Sequence, residues 1–183
     1  MRDSLKLGKV VEVLDDMLSR GIIGEYAVGG AVAASLSYQP ISTNDLDIFF
    51  LFEPPQTGLI LSLEPIYNYA REHGLDYDDD SIHIGGWPVQ FIESSLDPLW
   101  TEGLAKARTL SFDEYRIKVI PPEHLAVMWV QAGRGKDLRK IQEFSEGAVM
   151  NAGILHDLLQ RFGYLDKWLS IQEKLSDEYK FEQ

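Results

Sequence analysis

One stretch, residues 26–53 (YAVGGAVAASLSYQPISTNDLDIFFLFE), constrains the fold of this chain more than any other. Its opening apolar run, Tyr26-Ala27-Val28, ends on the glycine pair Gly29-Gly30. The small side chains of residues 31–36 suit a helix packed closely on whatever lies behind it. After Pro40, a second apolar run carries carboxylates at alternate positions, Asp45-Leu46-Asp47-Ile48-Phe49-Phe50. Alternate side chains of a strand share a face, so Asp45 and Asp47 point one way while Leu46 and Ile48 point into a core. The expectation is strand, glycine turn, helix, strand, with an acid pair opening the second strand.

Such a pair is electrostatically costly. Side chains two apart on a strand lie roughly 6–7 Å from each other. At an effective dielectric of about 20, two like charges at that distance repel by roughly 2–3 kcal/mol. Water can screen a pair at a strand end, and that is the plainest reading of an isolated D-x-D. A divalent cation such as Mg²⁺ or Mn²⁺ would instead reverse the sign, completing its shell with water and substrate phosphates. The upstream glycines favour this second reading. Glycines at a strand-to-helix turn let backbone N–H groups approach a phosphate, and the helix start adds partial positive charge. A phosphate cradle facing two metal-binding acids is the layout that phosphoryl or nucleotidyl transfer requires.

Gly29-Gly30, a short helix, and Thr43-Asn44-Asp45-Leu46-Asp47 together resemble the first motif of the DNA polymerase β-type nucleotidyltransferase superfamily. The likeness is greatest to small bacterial nucleotidyltransferases related to abortive-infection and type IV toxin–antitoxin proteins. Downstream, Pro122-Glu123-His124-Leu125-Ala126 through Ala132-Gly133-Arg134-Gly135-Lys136-Asp137 resembles their later P-E-x-L…R-x-K-D segment. The resemblance implies a mixed α/β (α+β) fold, catalytic and metal-binding roles for Asp45 and Asp47, and a nucleotide site that includes Gly29, Gly30, Thr43, Arg134, Lys136 and Asp137. Three positions depart from the pattern. The third metal-binding carboxylate of the superfamily falls on Gln90, which leaves that ligand neutral. Ile41 stands where those proteins often carry arginine, and Trp129 where many carry lysine.

The remaining chain supplies the frame. Leu7, Val10, Val11, Leu14, Met17 and Leu18 recur at helical spacing over residues 3–20, with Gly21 as the stop. A further helix is expected over residues 59–73, ended by Gly74, and the acid run Asp76, Asp78, Asp79 and Asp80 reads as a solvated loop. Residues 81–93 read as a hairpin turning at Gly85-Gly86. His83 faces away from its apolar neighbours there, and Glu93 falls on the side opposite Gln90. Asp97-Pro98 marks a helix start, strands follow at 108–112 and 115–120, and a helix runs from Pro122 to Gly133. Glu123 and His124 read as an ordinary first-turn acid and a surface imidazole. From Asn151 onward the pattern is helical. These elements form a small, mostly antiparallel or mixed sheet with helices on one side. They divide into a nucleotidyltransferase-like domain over 1–147 and a C-terminal helical element over 148–183.

Composition narrows the partners. With 17 Lys and Arg against 29 Asp and Glu, the net charge of −12 opposes bulk binding to nucleic acid, whose affinity rests on neutralising phosphates. Arg134, Lys136, Arg139 and Lys140 therefore stand out, and a triphosphate would account for cations at a helix start. The absence of cysteine rules out disulfides and thiolate sites and fits a reducing cytoplasm. No apolar run approaches the length of a membrane span. The function expected is Mg²⁺-dependent (or Mn²⁺-dependent) transfer of a nucleotidyl group from an NTP to an acceptor hydroxyl on a protein, an RNA or a small molecule. The alternative is a catalytically impaired nucleotidyltransferase-like binding or regulatory protein, for instance of a toxin–antitoxin or defence pair.

Overall fold

The computed structural model describes residues 2–37, 43–56, 61–134, 140–141 and 150–181, with side chains from residue 6 to residue 173. The chain divides into two compact units, Met1–Ile120 and Pro121–Gln183.

The first unit is built on a mixed six-stranded sheet: β1 (Ile23–Val28), β2 (Leu46–Phe52), β3 (Ile82–Ile84), β4 (Trp87–Glu93), β5 (Arg108–Phe112) and β6 (Tyr115–Val119). In space the order is β3-β4-β2-β1-β6-β5. Antiparallel pairs are β1 with β2, β3 with β4 and β5 with β6, while β2–β4 and β1–β6 are parallel. Every short antiparallel connection in the sequence thus becomes a neighbouring pair, and the parallel pairs need the longer crossovers.

Helices cover both faces of this sheet, not the one side expected. Helix α1 (Arg2–Ser19) buries Leu7, Val10, Val11, Leu14 and Met17 on the face that carries Tyr26, Ile48 and Phe50. The Tyr26 hydroxyl donates to Asp15 Oδ1 at 3.1 Å. Near the other end of the helix, Gly8 packs so closely on Tyr115 that an added Cβ would lie 2.4 Å from its ring. Helix α4 (Pro98–Ala105) lies on the opposite face, where Trp100 meets Phe49 edge-on at 6.0 Å. Both faces are apolar because β2 is central: Phe49 and Phe50 point in opposite directions and both are buried.

Helix α3 runs from Glu64 to Glu72, starting later than the hydrophobic pattern suggests. Residues 61–63 are not helical and Pro65 sits in the first turn. There its missing N–H breaks no helical bond, whereas a start near residue 59 would have put it further along the helix, where it does. Asp97 caps α4 as expected, accepting from the Leu99 N–H at 2.8 Å.

The second unit consists of α5 (Pro122–Ala132), α6 (Ala152–Arg161) and α7 (Leu165–Phe181) among its described residues. Glu123 is the first-turn acid expected, and both it and His124, expected at the surface, are buried. The Glu123 carboxylate accepts the Asn151 N–H at 2.8 Å, and Asn151 in turn caps α6 by accepting from Gly153 and Ile154. A buried acid is tolerated here because it satisfies a backbone donor just ahead of a helix.

Candidate functional site

The site is assembled where β1 ends, α2 (Gly30–Ser37) begins and β2 enters the sheet. Gly29 donates its N–H to the Asp47 carbonyl at 2.9 Å, while its own carbonyl accepts from Ala33 at 3.1 Å. One residue thereby joins the sheet ladder to the first turn of α2. The two glycines are required for different reasons. A Cβ on Gly29 would stand 2.2 Å from the Phe49 ring, which Trp100 holds from the other side. Gly30 has a φ of +56°, and a Cβ there would fall 1.8 Å from Asp47 Oδ2. The Asp47 carboxylate therefore lies directly against the first residue of α2. That helix carries no acid of its own in its first turn, so Asp47 is the carboxylate that meets its partial positive charge.

Asp45 lies just before β2, where the alternation of the strand, continued by one residue, would put it on the face of Asp47. Leu46 and Ile48 are fully buried on the other side, whereas Asp45 and Asp47 are both half-buried. Thr43 donates its hydroxyl to Asp45 Oδ1 at 2.5 Å, fixing the orientation of that carboxylate. The parallel pairing of β2 with β4 sets Asp47 level with Gln90, so Gln90 shares the face of the acid pair. Glu93 pairs with Phe50 on the opposite face, where it is buried and accepts from the Ser95 N–H at 3.0 Å. It cannot replace Gln90. The structure thus brings Gly29, Gly30, Thr43, Asp45, Asp47 and Gln90 to one end of the sheet. Among the described residues, no group of three or more His, Cys, Asp or Glu could hold a metal ion. The donor set is two carboxylates and one neutral amide oxygen, which suits a hard divalent cation with open positions.

The other sequence-derived residues lie elsewhere or outside the described chain. His83 is exposed on β3 and its Nε2 lies 3.2 Å from Asp78 Oδ2, which fixes it to the acid loop. Asp78 organises that loop by also accepting from the Asp80 and Ser81 N–H groups. These bonds and the neighbouring imidazole hold its carboxyl down at about 2. In the second unit, Arg134 is exposed just beyond Gly133, the left-handed residue that ends α5. Trp129 is buried, with the Lys140 ammonium 5.5 Å from the centre of its ring. Ile41, Lys136, Asp137 and Arg139 lie outside the described residues. Sequence reasoning missed Trp100, which backs the Phe49 ring beside Gly29. Alternation was the available signal: Phe49 shares the face of Asp47, and an aromatic ring there needs an apolar partner.

No helix among the described residues is long and apolar enough to cross a membrane. The sequence matches no protein-family model, and no curated protein matches it. Among solved structures, the chain is similar to the crystal structure of an antigenic nucleotidyltransferase-like protein from Paracoccidioides brasiliensis. The two share 15% sequence identity over 92% of this chain and 93% of that one, with a TM-score of 0.54. The mixed α/β architecture is accordingly nucleotidyltransferase-like.

Proposed function

We propose that this chain is a nucleotidyltransferase that uses Mg²⁺ or Mn²⁺ to move a nucleotidyl group from an NTP to an acceptor hydroxyl. The observation that carries the reading is Asp47 against the glycine start of α2, with the Thr43-bound Asp45 just before the same strand. Asp45 and Asp47 would hold the cation, and Gln90 would offer it a neutral oxygen. When bound, the cation would neutralise phosphate charge and polarise the reacting phosphorus centre. The N–H groups in the first turn of α2 would donate to phosphate oxygens beside the Asp47 carboxylate. Thr43 keeps the Asp45 carboxylate oriented towards the same space. Arg134 and Lys136 would neutralise the outer phosphates, and Asp137 belongs to the same nucleotide-binding set. The test is calorimetric titration of Mg²⁺ or Mn²⁺ with nucleotide present. Binding should be lost in Asp45→Asn/Asp47→Asn, and equal binding by both proteins would remove the metal site.

The position of Gln90 opposite Asp47 favours a second reading, a catalytically impaired member that binds nucleotide or a partner, as in a toxin–antitoxin or defence pair. An amide can ligate a cation but cannot accept the proton of an acceptor hydroxyl. Gln90→Asp separates the two. On the impaired reading, the substitution tightens a second ion and raises transfer. A wild-type protein that transfers nucleotide briskly and is slowed by Gln90→Asp would make Gln90 part of the mechanism instead.

A further inference from the structure

Strand pairing carries the face of Asp47 one strand further than the candidate ligands reach. The parallel register sets Asp47 beside Gln90 on β4. Two residues earlier on β4, Pro88 stands opposite His83 on β3. Val89 and its partners Ile82 and Leu46 are buried on the other face, so His83, Pro88, Gln90 and Asp47 share this one. His83 is therefore the diagonal neighbour of Gln90, a placement that leaves roughly 7–8 Å between the two positions. That gap is too wide for a hydrogen bond and wide enough to admit a substrate hydroxyl.

The imidazole is held in one orientation. Its Nε2 lies 3.2 Å from Asp78 Oδ2. Asp78 is itself fixed, because its Oδ1 accepts from the Asp80 N–H at 3.0 Å and the Ser81 N–H at 2.8 Å. The His83 N–H donates to the Asp76 carbonyl at 2.8 Å, tying the loop to β3 ahead of Asp78. With its carboxyl held at about 2, by the Asp80 N–H first and the imidazole next, Asp78 is charged wherever an imidazole is neutral. A carboxylate has no proton to give, so the neutral ring carries its hydrogen on Nε2 and its lone pair on Nδ1. The His83 side chain is 46% exposed, and an incoming molecule can reach the ring.

We propose that His83 takes the proton of the acceptor hydroxyl, with Asp78 positioning it. This inference rests on the nucleotidyl-transfer reading above. It supplies the proton acceptor that the amide of Gln90 cannot be. In the step, the hydroxyl oxygen bonds to the α-phosphorus as the bond from that phosphorus to the pyrophosphate oxygen breaks. Pyrophosphate leaves with the electron pair. The hydroxyl proton passes to Nδ1, and the imidazolium faces Asp78 until it returns the proton to solvent.

The test uses the full chain with Mg²⁺ and each NTP, glycerol supplying the hydroxyl, and reads pyrophosphate release beside calorimetric binding. His83→Ala should bind cation and nucleotide as the wild type does and release pyrophosphate about a hundredfold more slowly. Added imidazole should recover part of that loss, which the loss of a merely structural histidine would not allow. Asp78→Asn should slow release with binding unchanged. In the metal-free protein, long-range proton–nitrogen spectra should place the His83 ring hydrogen on Nε2. Release by His83→Ala at the wild-type rate overturns the proposal, as does a loss that imidazole does not relieve, or a ring hydrogen on Nδ1. A wild type that binds cation and nucleotide but releases no pyrophosphate overturns it too, and leaves the binding site standing. A wild type that binds neither sinks the reading underneath, and the role of His83 with it.

Discussion

Replacing Gly30 by alanine tests the physical centre of the site, because two separable costs meet at that residue. The first is backbone strain: Gly30 has a φ of +56°, where an L-residue costs roughly 1–2 kcal/mol. The second is collision, since the new Cβ would stand 1.8 Å from Asp47 Oδ2 and the carboxylate must move. Displacing a packed group in this way costs typically about 1–3 kcal/mol. Gly74 provides the control. Its φ is +63°, and nothing lies within 4 Å of where its Cβ would be. Gly74→Ala should therefore lose only the strain, and Gly30→Ala should lose more by roughly 1–3 kcal/mol. Denaturant titration measures both, compared by midpoint with the slope held common. Calorimetry with a divalent cation and nucleotide then asks whether the moved carboxylate still binds. Gly74→Ala should bind as wild type does, and Gly30→Ala should not. Equal destabilisation of the two variants, with cation binding intact in Gly30→Ala, would refute the idea that the glycine exists to admit Asp47.

Two further outcomes follow from other parts of the chain. In the second unit, Glu123→Ala removes the charged acceptor of the Asn151 N–H and should cost about 1.5–3 kcal/mol, while Asn151→Ala removes a helix cap worth about 1 kcal/mol. Because Glu123 and Asn151 share one network, the double variant should cost less than the sum, and additivity would show that the two do not act together. Asp78 has a folded-state pKa depressed to about 2, below the ordinary carboxylate value near 3.9. The order it gives the acid loop is therefore complete above the ordinary value and is lost as pH falls through about 2. The Asp80 and Ser81 amide resonances should titrate with that midpoint, and a midpoint near 3.9 would mean the loop bonds do not hold in solution.

Much of the fold was legible because each element carried its own local signal. The acid pair sits on an apolar run with period 2, so β2 and its two faces could be read directly, and Gly85-Gly86 and Asp97-Pro98 marked a turn and a helix start. Three features were not legible, for reasons that are tertiary. Helices on both sheet faces follow from the central position of β2, and strand order is not written in any one strand. The start of α3 depended on whether Pro65 lay in the first turn or further along. The burial of Glu123 depended on Asn151, twenty-eight residues away, offering a backbone donor that no local pattern announces.

The site shows the same division between local and tertiary information. Asp45 and Asp47 were readable from spacing, but what balances their charge was not. Thr43 orients Asp45 without adding charge, and Asp47 meets the partial positive charge at the start of α2. On the proposed reading, a bound cation would offset the repulsion between the two acids. On the same reading, Gln90 would decide how many cations bind. With a third acid at its position the site would carry three negative charges, and two divalent ions could be held largely by protein. With glutamine it carries two, which one divalent ion already cancels. A second ion would then have to arrive with the negative charge of the triphosphate itself. On the proposed reading, the neutral residue opposite Asp47 would make nucleotide a condition of full metal loading.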